Sequence, residues 1–406
     1  MMNEKLEVYA RLLLEKCLNI EKGEALLISG PIEAYDFIRI LSKKAYQIGV
    51  VDVYFDFYDD EIKHNALKTL SFEELKNSLI FNKEIYSVYA KKNAAFLQLS
   101  SVTPGLMDDI DSKILSDTFL FTLNTQKTYR EKQMNDEVSW LIAPVPTEAW
   151  AKYLFPKEIN PVSKLWDEFL DMCLIKDNSL KEIEEKIDRL DSVAKKLNEL
   201  QLKNLYYKNS LGTNLKIELH KNALWHSART TLKNGKKVIC NIPSEEVYTV
   251  PIKTKTEGVV YSSKPLIYNG KKIDKFHIEF KNGKVSSYNA LVGNQILGEL
   301  ISSDEGAKML GEVALVEYNS PISNKNKIYY NTLLDENASC HIALGEGYSS
   351  CMNITNNEYD YGINSSVIHV DFMIGTKDLD IKGINYKGEE YQIFKDGNFD
   401  IKKISD

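Results

Sequence analysis

The chain has 406 residues, 43% of them hydrophobic and 27% charged, an ordinary globular composition that excludes a disordered or fibrous protein. Lys and Arg number 51 against 58 Asp and Glu, a net charge of −7, so neither nucleic acid nor an anionic membrane, which need a basic surface, is expected as a partner. The five cysteines (Cys17, Cys173, Cys240, Cys340, Cys351) are scattered and never spaced C-x-x-C, which argues against a disulfide scaffold or thiolate zinc site and fits a reducing, cytoplasmic setting.

The first residues, Met-Met-Asn-Glu-Lys-Leu, lack the basic start and apolar run of a secretory signal. No apolar stretch nears the ~20 residues of a membrane helix. Leu6, Tyr9, Ala10, Leu13, Cys17 and Leu18 have helical spacing, so residues 5–18 are expected as an amphipathic helix. A strand at 25–30, a helix at 32–47 and a strand at 50–55 follow, with further strands expected at 94–100, 119–123 and 140–143. Strands alternating with helices predict an α/β N-terminal domain with a mainly parallel sheet. A glycine-ended first strand raises nucleotide binding. However, Ser29-Gly30-Pro31-Ile32-Glu33 carries neither G-x-G-x-x-G nor the P-loop lysine, so nothing is set to cradle phosphate.

Leu180, Ile183, Ile187, Leu190, Val193 and Leu197 repeat every three or four residues between charged positions, predicting a helix with one buried stripe. Its end sets the expected boundary: domains 1–200 and 201–406, two being what the length suggests at roughly 150 residues each. Beyond it the period falls to two. Leu215, Ile217 and Leu219 alternate with polar residues, as do Phe276, Ile278 and Phe280, and Asn269-Gly270, Asn282-Gly283 and Asp396-Gly397 stand between strand-like runs. Such dipeptides suit the positive φ of tight hairpins. The second domain is therefore expected to be α+β with largely antiparallel strands and one helix over about 291–310.

Four segments of this half interrupt apolar sequence with acids and histidines. His369 and Asp371 stand two apart in a strand-like run, so both point to one face, either as a buried hydrogen-bonded pair or as cation ligands. Asp335 or Asn337 is expected to cap a helix running through His341 and ending at Gly345 or Gly347, and Glu336 and His341 converge only if Glu336 lies in its first turn. Glu245 and Glu246 are adjacent in extended chain, so one of them faces any common pocket. Glu312 opens an apolar strand and, taken alone, reads as a solvated strand-start residue. Together these segments supply carboxylate and imidazole donors without thiolate, suiting zinc, cobalt or manganese. Two such ions, bridged by one carboxylate, make a binuclear hydrolase the leading reading. Its rivals are a binuclear hydrolase of another amide or phosphoester, and a non-enzymatic ligand-binding protein with a structural metal site.

At these residues the sequence resembles the thermophilic-type metalloaminopeptidases. The resemblance rests on Asn-Ile-Pro-Ser-Glu-Glu-Val-Tyr-Thr-Val-Pro (241–251), Asp-Glu-Gly-Ala-Lys-Met-Leu-Gly-Glu-Val-Ala-Leu-Val (304–316), Asn-Ser-Pro-Ile-Ser (319–323), Tyr-Asn-Thr-Leu-Leu-Asp-Glu-Asn-Ala-Ser-Cys-His-Ile-Ala-Leu-Gly (330–345) and Ile-His-Val-Asp-Phe-Met-Ile-Gly (368–375). Pro-Val-Pro-Thr-Glu-Ala-Trp-Ala (144–151) extends it into the first half. It implies two divalent metal ions held by Glu246, Glu312, His341, His369 and Asp371, with Glu336 as a further acidic ligand and Tyr348 as the tyrosine acting beside the metals. It also implies a homodimer that removes N-terminal residues from short peptides with a free N-terminus. Cys240 and Cys340 depart from the family pattern, and the thiol beside His341 is expected to bear on metal preference or oxidation.

Overall fold

The computed structural model describes residues 2–176, 179–353 and 362–400, without the side chains of 81–83. It divides into two compact units, Met1–Lys186 with Arg229–Pro243 and Ile187–Ala228 with Ser244–Asp406. The division falls inside the long helix Lys181–Leu200, whose stripe Ile183, Ile187, Leu190, Val193 and Leu197 is buried as its spacing predicts.

The first unit is built on a four-stranded sheet in the order Asp52–Tyr58, Ala25–Pro31, Ala95–Ser100, Trp140–Pro144, every pairing parallel. Parallel neighbours need crossover connections, supplied by helices such as Tyr35–Ile48, Phe72–Lys91 and Ser112–Thr125. Leu26, Leu27, Ile28, Leu97 and Leu99 are almost wholly buried, as a sheet covered on both faces requires. Each such side chain contributes roughly 1.5–3 kcal/mol of burial free energy. The N-terminal helix, Met2–Arg11, continues as a wider turn over Leu12–Cys17.

Residues 119–123 are not the expected strand. They lie inside the helix Ser112–Thr125, which Asp111 starts by accepting hydrogen bonds from the backbone N–H groups of Lys113 and Ile114. An apolar run of five residues fits either element, and here the cap upstream decides.

The second unit is antiparallel. A nine-stranded sheet contains Asn214–Leu219, Pro251–Tyr261, Lys271–Lys281 and Lys284–Val292 among its strands. The three expected hairpins form. Asn269 and Gly270 join Tyr268 to Lys271, Asn282 and Gly283 join Lys281 to Lys284, and Asp396 and Gly397 join Lys395 to Asn398. All six turn residues have φ between 50° and 79°, the region a two-residue hairpin needs. At Gly283 a Cβ would lie 2.0 Å from the Lys253 carbonyl oxygen, so only glycine fits.

A second, four-stranded sheet runs in the order His369–Met373, His341–Gly345, Leu310–Val316, Glu246–Thr249. Two expectations fail around it. The helix over 291–310 shrinks to Asn294–Ile301, because Leu291 and Val292 complete the hairpin strand and Gly293, at φ 74°, turns the chain. The helix through His341 ends at Glu336: Thr332–Glu336 is one short helix, and His341–Gly345 is a strand paired on both sides. Ladder bonds to two neighbours outweigh a weak local helix signal here.

Candidate metal centre

Register explains why donors from four distant segments meet. Residues directly opposite in an antiparallel pair share a face. Glu246 pairs with Val316 and Tyr248 with Ala314; Ala314 pairs with His341; Glu312 pairs with Ala343, which also pairs with Asp371; and Gly345 pairs with His369. Glu246, Glu312, His341, His369 and Asp371 therefore all stand on one face of the sheet. The other face carries Val247, Val313, Leu315, Ile342, Leu344 and Phe372, all buried. Small residues (Ala314, Ala343, Gly345) sit between the donors and leave their tips room to converge.

A bulge sets Glu312. Leu310 pairs with Leu344 but Glu312 with Ala343, so Gly311 is an extra residue in its strand. A Cβ at Gly311 would lie 2.2 Å from the Glu346 carbonyl oxygen. The bulge lets Leu310 stay on the apolar face while Glu312 turns to the polar one, a common device beside functional sites. Glu312 is only 4% exposed, not the solvated strand-start residue its local sequence suggests.

The tips are close. His341 Nε2 is 3.1 Å from Glu246 Oε2 and 4.0 Å from Asp371 Oδ1. His369 Nε2 is 2.9 Å from Glu312 Oε2 and 3.4 Å from Asp371 Oδ2. Glu246, Glu312 and His341 form one three-donor set and Glu312, His369 and Asp371 another, each within 4.8 Å. Glu312 belongs to both. Neither set includes Glu336, which ends the helix Thr332–Glu336, and Tyr348 stands beside His369 with ring centroids 5.1 Å apart.

Both imidazoles are oriented from behind. His341 Nδ1 lies 3.1 Å from the Glu336 carbonyl oxygen and 3.0 Å from that of Ser339, and His369 Nδ1 lies 2.7 Å from that of Glu346. A carbonyl only accepts, so Nδ1 carries the hydrogen in both rings. In the neutral tautomer each Nε2 lone pair then faces the cluster, the arrangement typical of ligating histidine.

Negative charge is in excess. Burial first, then Asp371 and Glu246, push the Glu312 carboxyl above its ordinary range while His369 pulls the other way. Glu336 is raised further, by burial and by Asp371, Glu246 and Glu312 against His341. For His341 and His369 burial opposes the charged ring, but the surrounding carboxylates outweigh it and raise both. Burial likewise raises Asp371, and the two histidines more than reverse it. Four carboxyls face two imidazoles; with all four ionised even two imidazolium ions leave the group negative, a charge that protons on Glu312 and Glu336 or bound cations relieve. Asp371 Oδ1 is also buried with no hydrogen-bond partner, a costly state unless a cation meets it. The donor set, the excess charge and this oxygen all fit divalent ions.

The Cys340 thiol is not among the donors. Its Sγ donates to the Val316 carbonyl oxygen at 3.2 Å and accepts from the Val316 N–H at 3.3 Å, and burial pushes it up to about 12, so it stays a protonated packing group rather than one bearing on metal preference. Sequence reasoning passed over Tyr248, whose ring meets Tyr348 edge-on at 5.9 Å; its place two residues after Glu246 in a strand was the available signal. It also passed over the carbonyls that hold the histidines, which no sequence pattern marks.

A parallel α/β unit, an antiparallel unit and a buried thiolate-free cluster of carboxylates and imidazoles define a protein with a candidate divalent-metal centre of the hydrolase type. The model of the thermophilic metalloprotease family (M29) matches residues 2–399, and the chain belongs to that family. It is 35% identical over 404 residues to aminopeptidase 2 of Geobacillus stearothermophilus and 35% over 407 to aminopeptidase AmpS of Bacillus subtilis, covering 98% of each chain in both cases. Among solved structures it is similar to wild-type AmpT from Thermus thermophilus, with a TM-score of 0.91 at 29% identity over 98% of this chain and 100% of that one.

Proposed function

We propose that this chain is an aminopeptidase that uses two divalent ions to hydrolyse the N-terminal peptide bond of short peptides. The observation that carries the reading is the pair of three-donor sets joined through Glu312, in a metalloprotease-family chain whose relatives named aminopeptidase align over 98% of its length. Glu246, Glu312 and His341 would hold one ion and Glu312, His369 and Asp371 the other, with Glu336 as a further carboxylate ligand. Zinc, cobalt and manganese all suit these donors. Bound there, the ions supply Lewis-acid activation of a water and of the scissile carbonyl.

The chain's own groups do the rest. The proton released as water attacks must go to a carboxylate of the cluster, Glu312 or Glu336. Tyr348 stays protonated, because burial, Glu312 and Asp371 raise its phenol well above the ordinary value. It can therefore donate a hydrogen bond to the oxyanion of the tetrahedral intermediate. A metal site there could also take the substrate's free amine in its neutral form, which would account for cleavage at the N-terminus. The same reading takes the chain to work as a homodimer in the cytoplasm. No described helix is long and apolar enough to cross a membrane, and the net charge is negative.

The test is metal content and turnover on the purified chain, stripped and reloaded with cobalt or zinc. Two equivalents per chain and hydrolysis of an amino-acid p-nitroanilide, but not of its N-acetylated form, are expected. Glu312→Gln should lose metal and activity together, and Glu336→Gln should lose metal if Glu336 ligates and only turnover if it takes the proton. Absence of turnover on any free-amine substrate with two equivalents bound overturns the reading.

A further inference from the structure

The turn that carries Tyr348 is short. Ser349–Cys351 make a single helical turn with Ser349 exposed, a weak platform for a phenol that must meet an oxyanion. On one side it is tied by backbone bonds from Glu346 N–H to Ile368 and from Gly347 N–H to Asn364. On the other it meets the segment Ala223–His226. Leu224 N–H donates to the Cys351 carbonyl oxygen at 2.8 Å, and Ala223 bridges Met352. His226 adds the side-chain contact. Its Nε2 lies 2.9 Å from the Ser350 carbonyl oxygen; since a carbonyl only accepts, Nε2–H is the donor.

The same histidine reaches Tyr348 by a second route. His226 and Tyr248 exchange backbone hydrogen bonds, both 2.9 Å, and their rings lie 6.1 Å apart at 33°. Tyr248 then meets Tyr348 edge-on at 5.9 Å and 62°, and Tyr348 meets His369 at 5.1 Å. Four rings thus run in series from His226 to the candidate ligand His369.

We propose that His226 is a positioning residue for Tyr348, fixing its turn through the hydrogen bond to Ser350 and its phenol through the Tyr248 ring. The proposal rests on the reading of Tyr348 as the oxyanion donor. Burial supports the geometry, since it lowers the proton affinity of His226 despite the carbonyl partner and keeps the ring neutral. A misplacement of about 1 Å in such a group is enough to cost on the order of 100-fold in rate.

The test is a double-mutant cycle on the metal-loaded full chain with an amino-acid p-nitroanilide. His226→Leu and His226→Asn, which lose the bond to Ser350, should each lower kcat by about tenfold or more, with KM and metal content unchanged. His226→Gln, whose amide can donate to the same carbonyl but does not replace the ring beside Tyr248, should recover part of the loss. In a Tyr348→Phe background, His226→Asn should cost little further. Equal losses in both backgrounds, loss of metal, unchanged kcat in the leucine and asparagine variants, or no recovery with glutamine overturns the proposal. If Tyr348→Phe itself keeps wild-type kcat, the role of the tyrosine has failed and this proposal falls with it. If Tyr348→Phe is impaired but the cycle is additive, only the role of His226 falls.

Discussion

Tyr348 and Asp378 show how local surroundings set what one side chain can do. The phenol of Tyr348 packs against a candidate ligand among buried carboxylates that hold its proton on, so its expected role is donation rather than ligation. Tyr348→Phe should lower kcat by roughly 10²–10³ with metal content unchanged by elemental analysis; loss of metal would instead make it a ligand. Asp378 is outside both three-donor sets. It accepts hydrogen bonds from the Ser210 N–H at 2.8 Å and the Thr376 hydroxyl at 2.7 Å, which hold its carboxyl down at about 2 against an ordinary 3.8. A carboxyl lowered on folding stabilises above its unfolded value and loses that contribution as pH falls through its folded one. Asp378→Asn should therefore lower the melting temperature fully at pH 7, with the difference from wild type shrinking from about pH 4 toward pH 2.

At the scale of elements, much was legible from pattern. Alternation at Leu215–Leu219 and Phe276–Phe280 and the three Asn-Gly or Asp-Gly turns specify strands and hairpins because period two and positive φ are local requirements. His369 and Asp371 share a face for the same reason. The failures are also physical. Residues 119–123 and the stretch through His341 carry apolar sequence compatible with helix or strand, and the outcome followed a cap at Asp111 in one case and two paired neighbours in the other. Ala343 stands between Glu312 and Asp371 in the cross-strand row. A longer side chain there would fill the space in which the donors converge, at an overpacking cost of about 1–3 kcal/mol. Ala343→Leu should keep the circular-dichroism spectrum of the folded chain yet bind less than half the wild-type metal, measured by elemental analysis.

At the scale of the whole molecule, the donors lie entirely within the second unit, on strands that begin at Glu246 and end at Met373. Each donor is costly to bury alone, and the group is stable only when its negative charge is met. Ions that bind the folded chain and not the unfolded one stabilise it by mass action, about 2.7 kcal/mol per site at a hundredfold excess over Kd. Chelation should lower the melting temperature in calorimetry, and zinc or cobalt should restore it. An unchanged melting temperature would count against a metal centre.

Period, turn chemistry and motif were enough to read from the sequence alone an α/β unit followed by an antiparallel one and the residue types of a candidate thiolate-free metal site, because these depend on neighbours a few positions apart. Only the tertiary structure decided that Arg229–Pro243 returns to the first unit, that Gly311 bulges to turn Glu312 inward, that Glu312 is shared by both donor sets, and that His226 stands behind Tyr348. Those outcomes depend on strand register and on contacts between distant segments, 125 positions separating Glu246 from Asp371 and 212 separating Glu24 from its ion-pair partner Lys236, and no local spacing encodes which residue of one strand will face which residue of another.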